Sequence, residues 1–222
     1  MIYYFGDSHT KGMEYFKPKD LNYTYEPYPY YLSQKIGMDY KNMAGVGNNL
    51  VNNVNILTDS LKELIDNAKI VVFQFQFFQN AFFRINDNNL QWKDFVLNPK
   101  IDIDMLLRET NITMEDSIVL LSYLDKFEEY RSWYEMQRVY SIFNFLESYG
   151  IKCYSLFWIK PNKINVIEDK RMIILDNNDP FVCSTNLEKI SDETNGKWND
   201  GHISNSENIR LAEKIHKFIL NN

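Results

Sequence analysis

The 222-residue chain has two cysteines, three histidines and no surplus of basic charge. Cys153 and Cys183 have the spacing of neither a disulfide framework nor a metal-ligand pair. Cys153, inside an apolar run, is expected to be a buried thiol. His9, His202 and His216 lie far apart and form no ligand cluster, so neither a metal nor a cofactor is expected. A net charge of −6, with no stripe of Lys and Arg, argues against a nucleic-acid groove. The apolar stretches are broken by Gln or by charge, and none has the length to span a bilayer. The beginning of the sequence lacks a basic segment followed by an apolar one, the mark of a secretory signal. The expectation is a cytoplasmic protein without nucleic-acid or membrane partners; its oligomeric state is unknown from sequence.

What is present is an ordinary globular composition, 45% hydrophobic and 24% charged, with an excess of aromatics at 15%. Part of that excess must fill the core, and part is expected at a binding surface. No internal repeat, Gly/Ser linker or shift in composition marks a boundary, so residues 1–222 are read as a single domain.

Two element types alternate along the chain. Met1–Phe5 reads as a short buried strand, and Tyr30–Gly37 as a helix closed by its glycine. Asp39–Ala44 is a second strand, ending in Gly45-Val46-Gly47. Residues 52–68 place Val54, Leu57, Leu61, Leu64 and Ile65 at the helical period. Ile70–Phe77 then has the apolar density of a strand in mid-sheet. An irregular Asn/Asp-rich stretch runs on to Asp104. Thr113-Met-Glu-Asp116 has the pattern of a helix start, and the chain reads as helical to Tyr149 with a break near Asp125. Ile151–Trp158 and Met172–Leu175 are strands, and Ser206–Leu220 is an amphipathic helix. This alternation predicts an α/β fold with a doubly wound parallel sheet of about five strands. Function in such sheets gathers at the carboxyl ends of the strands.

Three groups fall at those ends: a polar run after the first strand, the Gly45/Gly47 pair after the second, and the Gln and Asn residues after Phe77. Phe5-Gly6-Asp7-Ser8-His9-Thr10 follows the first strand. A serine there is a turn or helix-cap residue or, with a base beside it, a nucleophile. His9 is adjacent in sequence, which is expected to point its side chain elsewhere, and His216 lies within the last helix, where a packing or surface role is expected. His202 falls in a loop, Trp198-Asn-Asp-Gly-His-Ile-Ser204, just before that helix. Asp200, two positions upstream, has the chemistry to orient an imidazole as a triad acid does. The alternative is an Asn-Asp-Gly turn beside a chance histidine.

Four features in chain order resemble the SGNH (GDSL-type) hydrolase superfamily: Phe5-Gly6-Asp7-Ser8; Asn42-Met-Ala-Gly-Val-Gly47; the polar turn after Ile70–Phe77; and Asp200-Gly201-His202 before the terminal helix. Together they cover nearly the whole chain, and the layout looks most like compact members of phage-type and environmental sequences. The resemblance implies a three-layer α/β/α, flavodoxin-like fold and a serine esterase. It implies Ser8 as nucleophile, His202 as base and later acid, and Asp200 as the third member. The backbone N–H groups of Ser8 and Gly47 and a side-chain amide would form the oxyanion hole. The family usually carries Gly-x-Asn-Asp after its third strand, where this chain has Gln74-Phe-Gln-Phe-Phe-Gln-Asn80. Asn80 is the chosen third donor, with Gln76 and Gln79 as alternatives. The family's acid commonly stands three residues before the histidine, where this chain has Asn199.

The aromatics of Tyr23–Tyr31 and Phe75–Phe83 suit a sugar face or an acyl chain, and no long apolar lid is evident. The expected partner is a small-molecule or carbohydrate ester with a short acyl group. An O-acyltransferase would use the same serine. An inactive glycan-binding or virion-associated module would retain only the fold.

Overall fold

The computed structural model describes residues 1–12, 17–46, 50–75, 81–86, 92–97, 113–158, 169–175, 187–198 and 202–222. The chain divides into two compact units, one made of Met1–Gln76 with Val139–Asn222 and the other of Phe77–Arg138.

The first unit is built on a five-stranded parallel sheet. Its strands are β1 (Ile2–Phe5), β2 (Tyr40–Asn42), β3 (Ile70–Gln74), β6 (Lys152–Phe157) and β7 (Met172–Ile174), in spatial order β2-β1-β3-β6-β7. Counting only the strands of this sheet, that order is 2-1-3-4-5, one of the two common doubly wound arrangements. β1 is flanked by β2 and β3, with Tyr4 opposite Asn42 on one side and Val72 on the other. The chain reverses its winding between β1 and β3, and the crevice beyond their carboxyl ends is the usual place for a site.

Successive side chains of β1 reach opposite faces, as the period of a strand requires. The Tyr3 hydroxyl donates to Glu63 at 2.8 Å, in α4 (Leu61–Asn67), which follows α3 (Leu50–Asp59). Tyr4 meets Ser33 at 3.2 Å and packs edge-on to Tyr28, both in α2 (Tyr28–Ile36). The Tyr3 face continues through Phe5, Phe73, Phe75 and Phe157, whose rings stack across the strands. It is closed by Tyr140, whose hydroxyl lies 2.9 Å from Ser155 Oγ, on the last part of helix α5 (Met114–Glu147). On the Tyr4 face, Tyr154 packs against Phe218 of α7 (Asn205–Asn221). Helices therefore cover both faces. Cys153 is buried in this core, and desolvation pushes its thiol well above the ordinary range.

The second unit contains β4 (Ala81–Asn86) paired antiparallel with β5 (Trp92–Leu97). The Asn/Asp-rich stretch thus holds a pair of antiparallel strands rather than only irregular chain. The break expected near Asp125 does not occur, because α5 runs unbroken from Met114 to Glu147. It contains neither glycine nor proline, and a mid-helix aspartate costs only a few tenths of a kcal/mol. Thr113 accepts a hydrogen bond from the Asp116 N–H at 3.1 Å, the expected helix start. Conversely, the helix expected over 52–68 is two, α3 and α4, interrupted at Ser60, whose hydroxyl donates back to the Ile56 carbonyl.

Candidate active site

β1 ends at Phe5, and the chain turns through Gly6 and Asp7 into a four-residue helix, α1 (Ser8–Lys11). Asp7 caps it: its Oδ1 accepts the His9 N–H at 2.9 Å, satisfying one of the donors a helix start leaves open. The same oxygen accepts from Gln74 Nε2 at 3.0 Å. Gln74, the last residue of β3, also accepts a short hydrogen bond from Thr10 Oγ1. Thr10 Oγ1 in turn lies 3.1 Å from the Tyr28 hydroxyl. Asp7, Thr10, Gln74 and Tyr28 are all buried, so these bonds form in a low-dielectric interior, where a chain of them rigidifies its members. Their joint effect is to fix the turn that presents Ser8.

Gly6 makes that turn possible. A Cβ placed there would stand 2.9 Å from Thr10 Cβ and 3.0 Å from Gln74 Cβ, and closer still to Thr10 Oγ1. The reason for glycine is space rather than backbone angle.

The segment after β2 runs alongside. Met43 N–H donates to the Tyr4 carbonyl at 2.8 Å, and Gly45 N–H to the Gly6 carbonyl at 3.3 Å. Asn42 Nδ2 donates to the Thr10 carbonyl at 2.7 Å, and Asn42 Oδ1 accepts the Ala44 N–H at 3.1 Å. The two turns singled out in the sequence are therefore neighbours.

His202 arrives from the other end of the chain. Lys189, just before the short helix α6 (Ile190–Glu193), forms an antiparallel bridge with Ile203. The Ile190 N–H donates to the His202 carbonyl at 2.9 Å, and the Ser204 N–H to that of Glu188 at 2.9 Å. Ser204 then caps α7. Buried Asn208, one turn on, ties this helix start to α2. Its Oδ1 accepts the Tyr28 N–H at 3.0 Å, and its Nδ2 donates to the Tyr25 hydroxyl at 3.1 Å. Tyr28 thus touches both halves of the site, α1 through its hydroxyl and α7 through its backbone.

With both ends held, His202 Nε2 lies 2.7 Å from Ser8 Oγ. Ser8 is buried and His202 half-buried. That distance is a hydrogen bond, within the reach a base needs to take a serine proton. Among the described residues the Ser8 backbone N–H, at the start of α1, meets no acceptor.

No family model matches this chain. No curated protein matches it either. The candidate site therefore rests on its own geometry. Of the residues proposed from sequence, Ser8 and His202 are brought together. Asp200, Gly47, Asn80, Gln76 and Gln79 lie outside the described residues.

Two residues of the site go beyond the sequence reading. One is Gln74, whose place at the end of a buried strand gave no sign that its amide reaches both Asp7 and Thr10. The other is His9. Adjacency to Ser8 suggested that its side chain points elsewhere, yet its ring centroid lies 4.7 Å from that of His202 and 5.3 Å from that of Trp158. Burial, with a smaller electrostatic contribution from the neighbouring His202 and Lys189, holds the His9 imidazole well below the usual histidine range. It is a neutral ring in the core, not a second base. Among the described residues no group of three or more His, Cys, Asp or Glu is placed to hold a metal ion, and no helix is long and apolar enough to cross a membrane.

Proposed function

We propose that this chain is a serine esterase of the SGNH type. Its substrate is a short-chain acyl ester, for which an O-acetylated carbohydrate is the first candidate. The observation that carries the reading is the 2.7 Å contact between Ser8 Oγ and His202 Nε2, made at the carboxyl end of β1 beside the switch in winding. The doubly wound strand order and the capped turn at Asp7 support it.

In this reading His202 takes the Ser8 proton as Oγ attacks the ester carbonyl. Negative charge passes to the carbonyl oxygen, where the Ser8 N–H meets it; the resemblance would add the Gly47 N–H and a side-chain amide as further donors. Preorganised donors of this kind are worth about 2.7–4 kcal/mol each. The imidazolium returns its proton to the departing alcohol, leaving the acyl group on Ser8. Water, deprotonated by the same imidazole, then releases the acid and restores the serine. Asp200 orients the imidazole and offsets its charge.

The test is turnover of p-nitrophenyl acetate by the wild type and by Ser8→Ala and His202→Ala. Loss of turnover in both variants supports the esterase. Equal background rates in all three proteins would leave only a non-catalytic glycan-binding or structural module on this fold.

A further inference from the structure

We infer that His9 is a positioning residue: its buried ring forms a shelf that holds the His202 imidazole with Nε2 on Ser8. The geometry that carries this is a row of three rings in tilted contact. Trp158, just past the end of β6, is fully buried and packs at 5.3 Å on His9. His9, wholly buried in the first turn of α1, packs at 4.7 Å on His202, with the planes inclined at 45°. Only the outermost ring, that of His202, reaches Ser8.

A half-buried imidazole on a loop has two soft torsions and a ring flip, all of which must be restrained for Nε2 to stay on the serine. A second ring packed beside it removes alternatives by contact, since close-packed interiors leave little room for rotamer exchange. Misplacement of a reacting group by about 1 Å can cost roughly 10²-fold in rate. The backbone makes the same device rigid from beneath, because the His9 N–H is the one that Asp7 caps. Among the described residues, charged groups near the rings include Asp7 at the α1 cap and Lys189 on the bridge beside His202. His9 stays neutral between them, so the shelf acts by shape rather than by charge.

The consequence for rate rests on the esterase reading; the fixed ring does not, and the experiment separates the two. In ¹⁵N-labelled protein, long-range ¹H–¹⁵N spectra report the tautomer and exchange of each imidazole. Wild-type His202 is expected to show one tautomer with distinct Nδ1 and Nε2 signals. In His9→Ala these signals broaden or average, and in His9→Phe, which restores a ring, they sharpen again. Turnover should follow the same order, with kcat down by about tenfold or more in His9→Ala and KM little changed. If His9→Ala does not fold, His9→Leu fills most of the volume without a flat face and is read in the same way. His202 signals in the alanine or leucine variant that superimpose on those of the wild type would overturn the proposal. Wild-type protein that shows the fixed tautomer but no Ser8-dependent turnover would remove the esterase reading and leave the shelf standing.

Discussion

Ser8 Oγ and His202 Nε2 are 2.7 Å apart although 194 positions separate them in the chain. Neither end of that contact is held by the contact itself. Ser8 is set by the bonds of Asp7, Thr10 and Gln74 beneath its turn. His202 is set by the bridge from Lys189 to Ile203 and by the anchoring of α7 through Asn208. This separation into support and chemistry makes the account testable one part at a time.

Gln74→Leu removes the amide that joins β3 to the turn presenting Ser8 and leaves buried Asp7 and Thr10 each short of one partner. An unmet buried polar group costs about 1–3 kcal/mol, so the urea midpoint should fall accordingly with an unchanged slope. Turnover per folded molecule should fall as well, by up to ~10²-fold, because the turn loses its register. Unfolding curves and pNP-acetate kinetics on the same preparation check both. A variant equal to the wild type in both would remove Gln74 from the site's support.

Gly6→Ala inserts a methyl where no room exists, against Thr10 and Gln74. Overpacking of this kind typically costs about 1–3 kcal/mol. The shift it forces lies one residue from the Asp7 cap, so activity should drop together with thermal stability. Unaltered melting would mean that the turn is looser than described.

His9 gives a pH dependence of stability with a definite sign. Its folded-state pKa is lowered well below 6.5 by burial and, to a smaller extent, by its neighbours His202 and Lys189, whereas in the unfolded chain it titrates near its ordinary value. Above about pH 6.5 neither state binds the proton, and the full stability is present. As the pH falls below that value the unfolded state takes up a proton that the folded state refuses, and stability declines. The slope for a single such group approaches about 1.4 kcal/mol per pH unit. Denaturant midpoints measured between pH 7 and pH 5 should fall in the wild type and fall less in His9→Phe. Parallel curves for the two proteins would contradict a neutral buried His9.

The α/β alternation, the parallel sheet and its number of strands were legible because buried parallel strands are short apolar runs, and each is followed by a helix or a turn. The antiparallel pair of β4 and β5 was not, since its polar residues masked a weak alternation in Trp92–Leu97. The uninterrupted α5 is masked by Asp125, which interrupts the apolar pattern but lacks the helix-breaking power of glycine or proline. At the site, Ser8 and His202 were legible as residue types at strand and loop ends. Gln74 and His9 were not, for a physical reason. Their roles depend on which strands are neighbours and on a contact between positions 9 and 202, and no local pattern encodes either.

The most direct measurement of the central claim is covalent labelling by a fluorophosphonate, read by intact mass and by peptide mapping. The account predicts one adduct per chain, located on Ser8, abolished in Ser8→Ala and slowed by about 10²–10⁴ in His202→Ala. A wild-type protein that remains unlabelled, or that is labelled equally well without Ser8 or without His202, would contradict it.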